Sequence, residues 1–498
     1  MTDRADRAAT ATGAHERTLA FSREMDPVDY LMLRGEHEPR GRSGMLSVSL
    51  LDVVPDFERL RLAYDRASRV VLRMRQRVVV PALPLASPQW IVDPDFDLSY
   101  HFRRVRLPEP GTMRQLLDFA APIHAAPFDL ARPLWEAYLV EGLDEEGAQA
   151  ALVLKMNHAI TDGVGGMEMA NQFYDSARDF ERGPLPPVPV PEDVTPTDLV
   201  REAVRRAPVV LIGGAIARSR RGAALAGRAL RRPAPAIRDL SKLLGSAQRV
   251  FGGPPTEPSP LLRRRGLGRH LDWLEFPLDR LRRAGKAAGG SVNDAYIAGI
   301  CGGLRRYHEA YGLPIDALPL AMPVNTRNDD DPAGGNRFAG AMIAAPVGEA
   351  NPARRVARVR ELVLTAVDEP AMNALSVIAP VFARVPAPML SALGSMVSNV
   401  DVQASNIPGF PEAPYIAGAK IVKTVPFGPL PGVAIMIVMV SEGGMCYVGV
   451  NYDTAAVTDG DLFARCLKEG FDEVFALESE RAPRASRRRT PAKEVPAS

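Results

Sequence analysis

Cysteine is scarce in this chain: three in 498 residues, Cys301, Cys446 and Cys466, far apart and without a CxxC pair. That excludes a disulfide framework and a zinc ribbon, and fits a reducing cytosol. Lysine is nearly absent too; seven lysines leave 54 of the 61 basic residues as arginine, as a GC-rich coding bias produces. Neither sign of charge is in excess, with 61 basic against 59 acidic residues and a formal net charge of +2. No global field therefore points to nucleic acid or to an anionic substrate. Long apolar runs are missing. Residues 207–217 and 425–440 fall short of the roughly 20 needed to cross a bilayer, and the second holds Pro426, Pro429 and Pro431. The polar first 21 residues have no apolar core of the signal-peptide kind. Also lacking are a GK[ST] phosphate loop, a GxSxG elbow and a Cys/His pair suggesting a covalent nucleophile.

What is present is an ordinary globular composition, 46% apolar and 24% charged, long enough for two or three domains. Residues 1–20 and 479–498 read as a disordered leader and a disordered basic tail. Residues 183–196 (GPLPPVPVPEDVTP) hold six prolines, a semi-rigid linker signature. Residues 198–250 follow with twelve basic and three acidic side chains, about +9. There Ile237, Leu240, Leu244 and, just beyond, Phe251 form a helical apolar stripe with a basic border, suited to an anionic lipid surface. Two lobes, 21–182 and 266–478, are thus expected around a Pro-rich and basic connector, 183–265.

Both lobes mix strands and helices, which predicts an α/β fold with mixed sheets. Residues 150–156 (AALVLKM) read as a buried strand, and 167–178 as the helix after it. In the second lobe the apolar spacing predicts a helix over 292–311, stopped by Gly312, and 433–440 (VAIMIVMV) reads as a central strand.

The sharpest local feature is residues 154–166, LKMNHAITDGVGG. His158 follows a strand end, where a rigid scaffold holds catalytic groups, and a neutral imidazole there can take a proton from a hydroxyl. Asp162 and Gly163 complete an HxxxDG spacing, although Asp162 could equally N-cap the next helix and His158 could be a half-buried structural histidine. Two ligands without a further His or Cys do not make a zinc site. His101, His124 and His308 have no partner pattern and read as structural.

Asn157 to Gly163 resembles the HHxxxDG motif of the bacterial wax ester synthase/acyl-CoA:diacylglycerol acyltransferases, a family of the chloramphenicol-acetyltransferase-like superfamily. Further stretches match in the family's order: Met25–Glu36, Trp90–His101, Pro133-Leu134-Trp135, Ser291-Val292-Asn293-Asp294, Pro323–Arg327, Ser405–Gly409 and Asn451-Tyr452-Asp453. Together they span about residues 21–478. The family's first histidine is Asn157 here, and strand alternation turns position 157 away from the side that His158 shares with Met156 and Leu154.

The resemblance implies two chloramphenicol-acetyltransferase-like lobes, each a mixed sheet flanked by helices, with the active site between them. It implies His158 as general base, deprotonating an acceptor hydroxyl that attacks an acyl-CoA thioester without an acyl-enzyme. Asp162 would turn inward to pair with an arginine, for which Arg327 is the candidate, and orient the loop. Asn293 is a candidate oxyanion donor, although Ser291-x-x-Asp294 equally reads as a capping box. The acceptor implied is diacylglycerol, giving triacylglycerol, or a fatty alcohol, giving wax ester. Acyl-CoA enters as substrate; no cofactor, metal or nucleic acid is expected. The expected location is cytoplasmic, peripheral on the inner membrane face or on lipid droplets. Pro133-Leu134-Trp135 reads as packing, and Asn406 and Gly409 as a turn. The alternative is a catalytically weak lipid- or partner-binding protein retaining the fold, and Asn157 is the feature that favours it.

Overall fold

The computed structural model of the chain describes residues 21–161, 163–206, 255–325, 338–367, 379 and 400–478. The expected leader and tail, the apolar stripe 237–251, Asp162 and Arg327 lie outside those residues.

The alternating and near-continuous apolar runs of the first lobe become β1 (Gly44–Leu51), a ribbon of β2 (Gln76–Val79) and β3 (Gln89–Val92), then β4 (Phe102–Arg106), β5 (Trp135–Glu145) and β6 (Ala148–Asn157). The second lobe supplies β7 (Arg269–Pro277), β8 (Leu318–Asn325), β9 (Phe338–Ala345), β10 (Val402–Pro408), β11 (Tyr415–Ile416), β12 (Ala419–Phe427), β13 (Ile435–Glu442) and β14 (Met445–Asp453). They form two six-stranded mixed sheets, ordered β11-β12-β1-β6-β5-β4 and β7-β14-β13-β10-β8-β9.

Both faces of the first sheet are buried, which is why β6 reads as almost unbroken apolar sequence. On one face Val48, Val140, Val153 and Val425 pack with Leu116 and Leu117 of the helix Met113–Ala125. On the other, Trp135, Leu152 and Met156 meet Leu60 and Tyr64 of the helix Phe57–Val70, together with Met169 and Phe173. The second sheet buries the largest core against the helices Leu278–Ala287, Val292–Ala310 and Gly460–Ala476.

The chain does not stay in one sheet per lobe. After β10 it crosses into the first sheet as β11 and β12, where β12 pairs antiparallel with β1, and returns as β13. The crossing strand is held from both sides: Ser49 Oγ lies 3.3 Å from Thr424 Oγ1, and Tyr447 Oη donates to Val422 O at 3.2 Å.

The predicted strand at 433–440 is β13, central between β14 and β10. The helix predicted from 292 stops at Ala310, with Gly312 at φ +67° and its N–H on Glu309 O. The helix predicted over 167–178 instead runs Gly163–Ala170. It ends early because Asp175 bridges to Tyr415, and Arg182 takes the carbonyls of Gln172 and Tyr174 at 2.7 and 2.8 Å. Asn406, predicted in a turn, is a residue of β10 paired with Met439. The proline-rich stretch lies along the first lobe, where Pro186 O accepts from Arg69 Nη1 at 2.8 Å and Glu192 N donates to Val92 O at 3.0 Å.

Candidate active site

The β6 strand ends at Asn157, and the chain turns at once. Asn157 N donates to Leu134 O at 3.0 Å, His158 N to Ser43 O at 2.9 Å, and Ile160 N back to Asn157 O at 3.0 Å. Of residues 157–161, only His158 is not fully buried. The helix Gly163–Ala170 that follows the turn lies against β10 of the second sheet.

Asn157 points the other way and is fully buried. Its Nδ2 donates to Glu36 Oε1 at 2.8 Å, and its Oδ1 accepts from Ala159 N at 2.8 Å. Glu36 Oε1 also accepts from Ser43 N at 3.0 Å, while Ser43 O holds His158 N. Glu36 and Ser43 therefore clamp the turn from both sides of His158. An amide at 157 bonds at both ends here, donating to a carboxylate and accepting from the backbone two residues on.

Glu36 was not a candidate in the sequence. It lies in the Met25–Glu36 stretch, but 121 residues separate it from Asn157, and no local pattern encodes such a pairing. Glu36→Ala is expected to lower kcat by about 10²-fold through misplacement of His158, with KM little changed. Glu36→Gln should retain most of the rate, because both groups bound by Oε1 are N–H donors. Steady-state kinetics of the two variants check this; equal loss in both would contradict it.

The neighbours of Asn157 are structural. Lys155 is fully buried, its Nζ donating to Ala126 O at 2.7 Å and lying 4.1 Å from the Phe128 ring centroid. Burial pushes its ammonium down to about 8, against the pull of Glu136 and Glu36. His124 Nε2 donates to Gly44 O at 2.7 Å, and burial pushes it down to about 4, so it stays neutral at pH 7. His101 bonds Trp135 O at 2.7 Å and stacks on that indole, and His308 Nε2 lies 2.6 Å from Ser259 Oγ. Leu134 and Trp135 pack the core, with Trp135 Nε1 donating to Met74 O at 2.8 Å.

Ser291, Asn293 and Asp294 open the helix Val292–Ala310. Ser291 Oγ accepts from Asp294 N at 3.2 Å, and Asp294 Oδ2 accepts from Ser291 N at 2.7 Å, so the capping box forms. Arg360 Nη1 lies 3.2 Å from the same Asp294 oxygen. This accounts for Asp294 and leaves the Asn293 side chain without a hydrogen bond among the described residues. Gly163 is the first residue of the helix after the turn.

Beneath that helix is a cavity of about 40 Å³, lined by apolar residues such as Leu152, Met156 and Phe173 and by Ser47, Ser49, Tyr64 and Tyr174. At about 10–15 Å³ per water it has room for a few waters. Among the described residues no three His, Cys, Asp or Glu side chains gather as a metal site would require.

A family model described as the wax ester synthase/diacylglycerol acyltransferase catalytic domain matches residues 19–296, and one described as the WS/DGAT C-terminal domain matches 334–474. A Mycobacterium tuberculosis H37Rv protein provisionally named a diacylglycerol O-acyltransferase is 49% identical over 464 residues, covering 93% of this chain and 94% of its own. Another protein of that strain, named in the same way, is 31% identical over 421 residues, covering 75% of this chain and 80% of its own. The structure of a wax ester synthase/diacylglycerol acyltransferase from Marinobacter aquaeolei VT8 matches with a TM-score of 0.59 at 23% identity, over 91% of this chain and 99% of that one. The first condensation domain of the CDA synthetase matches at 0.54 and 15% identity, over 93% and 97%. These two structures share the two-lobed fold.

Proposed function

Because the chain belongs to the wax ester synthase/diacylglycerol acyltransferase family and is an acyltransferase, we propose that it moves a long-chain acyl group from acyl-CoA to the hydroxyl of diacylglycerol. The observation that carries the residue assignment is the turn itself: four buried neighbours and a double clamp around one accessible imidazole. His158 accepts the hydroxyl proton as the oxygen attacks the thioester carbonyl. The tetrahedral intermediate then collapses, the C–S bond breaks, and the proton passes to the departing thiolate. Asn293, whose amide makes no hydrogen bond among the described residues, is the proposed oxyanion donor. Asp162 is proposed to orient the loop through Arg327.

Asn157 does not argue for a catalytically weak relative, because its amide serves the loop on the side away from His158. A fatty alcohol fits the same chemistry and is the second acceptor to test. No helix among the described residues is long and apolar enough to cross a membrane. The implied substrates are nearly insoluble, so we propose that the protein meets them at a membrane or lipid-droplet surface through the basic segment 198–250.

The test is CoA release from palmitoyl-CoA by the purified protein, with diacylglycerol or hexadecanol, followed by product identification. Triacylglycerol is expected; no CoA release with either acceptor would overturn the reading.

A further inference from the structure

Two arginine-bearing stretches distant in sequence come together near the turn: Arg40 touches Arg265, and Arg269 lies within reach of the charges of Arg40 and Arg42, with Arg263 and Arg264 adjoining Arg265 in the chain. Arg40 and Arg42 precede β1, and Arg263, Arg264, Arg265 and Arg269 lead into β7. Arg40 Nη2 donates to Arg265 O at 3.1 Å across 225 residues of sequence. Gly432 joins the same two residues, its N–H on Arg40 O at 3.1 Å and its carbonyl accepting from Arg265 Nε at 2.9 Å.

Two buried acids oppose this charge: Asp401 faces Arg265 and Arg263, and Asp453 faces Arg269. Asp401 lies 3.6 Å from Arg265 Nη2 and also accepts from Ser259 N at 2.6 Å. Asp453 lies 3.6 Å from Arg269 Nη1 and accepts from Gly266 N at 2.6 Å. Arg40, Arg42, Arg263 and Arg264 form no ion pair among the described residues. Glu38, exposed in the turn before Arg40, is one further acid nearby. Arg40, Arg263 and Arg264 are exposed. Arg42 donates from Nη1 to Ala125 O at 2.7 Å, while its buried Nε has no hydrogen-bond partner among the described residues. Burial holds Arg269 below its usual range against the pull of Asp453, and the positive charges of Arg40 and Arg42 push it the same way as burial.

Arg269 feels the positive charges of Arg40 and Arg42, and an anion would relieve that repulsion. The cluster adjoins the chemistry without entering it: Ser43, next to Arg42, holds His158 N, and Gly44 pairs with Asn157. We propose that this cluster docks the nucleotide phosphates of acyl-CoA, an inference that rests on the acyl-CoA reading above. Guanidinium forks match phosphate oxygens in paired hydrogen bonds. The pantetheine arm keeps the pyrophosphate and 3′-phosphate well away from the thioester, so their anchor belongs beside the base and not at it. Residues from both sides of the seam would then close on one ligand.

The test uses the full chain and the exposed pair R263A/R264A, with R40A as a second variant. Binding of adenosine 3′,5′-bisphosphate and of CoA is measured by calorimetry, at low and high salt. The kcat/KM for palmitoyl-CoA is measured against that for palmitoyl-N-acetylcysteamine, a thioester without phosphate. Each variant is expected to weaken binding of both nucleotides about tenfold or more, and to lower the preference for palmitoyl-CoA by a similar factor. Unchanged nucleotide binding in both folded variants would overturn the proposal. So would loss of binding to phosphatidylglycerol vesicles alone, which would assign the cluster to a lipid headgroup. A wild-type protein that binds the nucleotide through these arginines yet releases no CoA from palmitoyl-CoA would leave the docking site standing and defeat the transferase reading.

Discussion

His158→Ala is expected to lower kcat for acyl transfer by about 10²–10⁴-fold, the usual worth of a placed general base. The fold should survive, because the bonds that shape the turn come from the 158 backbone N–H and from Asn157, and alanine keeps both. The side chain lost is the only one in the turn 157–161 that is not buried. Circular dichroism and a thermal melt establish folding, and CoA release from palmitoyl-CoA gives the rate. A folded variant with most of its activity would remove His158 from the mechanism.

Glu473→Ala carries the largest expected loss of stability, about 3–5 kcal/mol, because it leaves a buried guanidinium without its counter-charge. Arg355 is fully buried between the helices of the second lobe. It donates from Nε to Ala298 O and from Nη1 to Glu349 O, each at 2.9 Å, and from Nη2 to Glu473 Oε2 at 2.6 Å. Arg305 and Arg306 reach the other oxygen of Glu473 at 2.7 and 2.6 Å. Burial would raise the Glu473 carboxyl, but the Arg355 bond and the surrounding charges hold it below its ordinary value. A depressed folded value means that the stabilisation is complete above the unfolded value of about 4.5 and is lost as pH falls below it. Urea unfolding of wild type and Glu473→Ala at pH 7 and pH 4 reads both effects. A difference below about 1 kcal/mol at pH 7 would contradict the assignment.

The same helix shows how far local signals reach. Residues 292–310 announced themselves by apolar spacing, a capping box and a terminal glycine, and all three are present. Gly299, Gly302 and Gly303 lower helix propensity and have no local purpose. Their reason is in the neighbours: a Cβ at Gly302 would come within 2.6 Å of Arg355 Nη2, and one at Gly303 within 2.6 Å of Leu467 Cα. Likewise Arg182 and Asp175 ended a helix that side-chain periodicity extended to 178.

Legible in the sequence were the mixed α/β character, the strand that ends at the turn 157–161, the turning away of residue 157 and the family. Each of these is written in contiguous residues, because side-chain alternation, capping and motif spacing operate over a few positions. Only in the folded chain do β11 and β12 leave the second sheet to pair beside β1, does Glu36 reach across 121 residues to hold Asn157, and does Arg40 reach Arg265 across 225. Those pairings depend on strand register and chain crossing. Both are fixed only when two buried faces close on each other, and no short stretch of sequence contains that information.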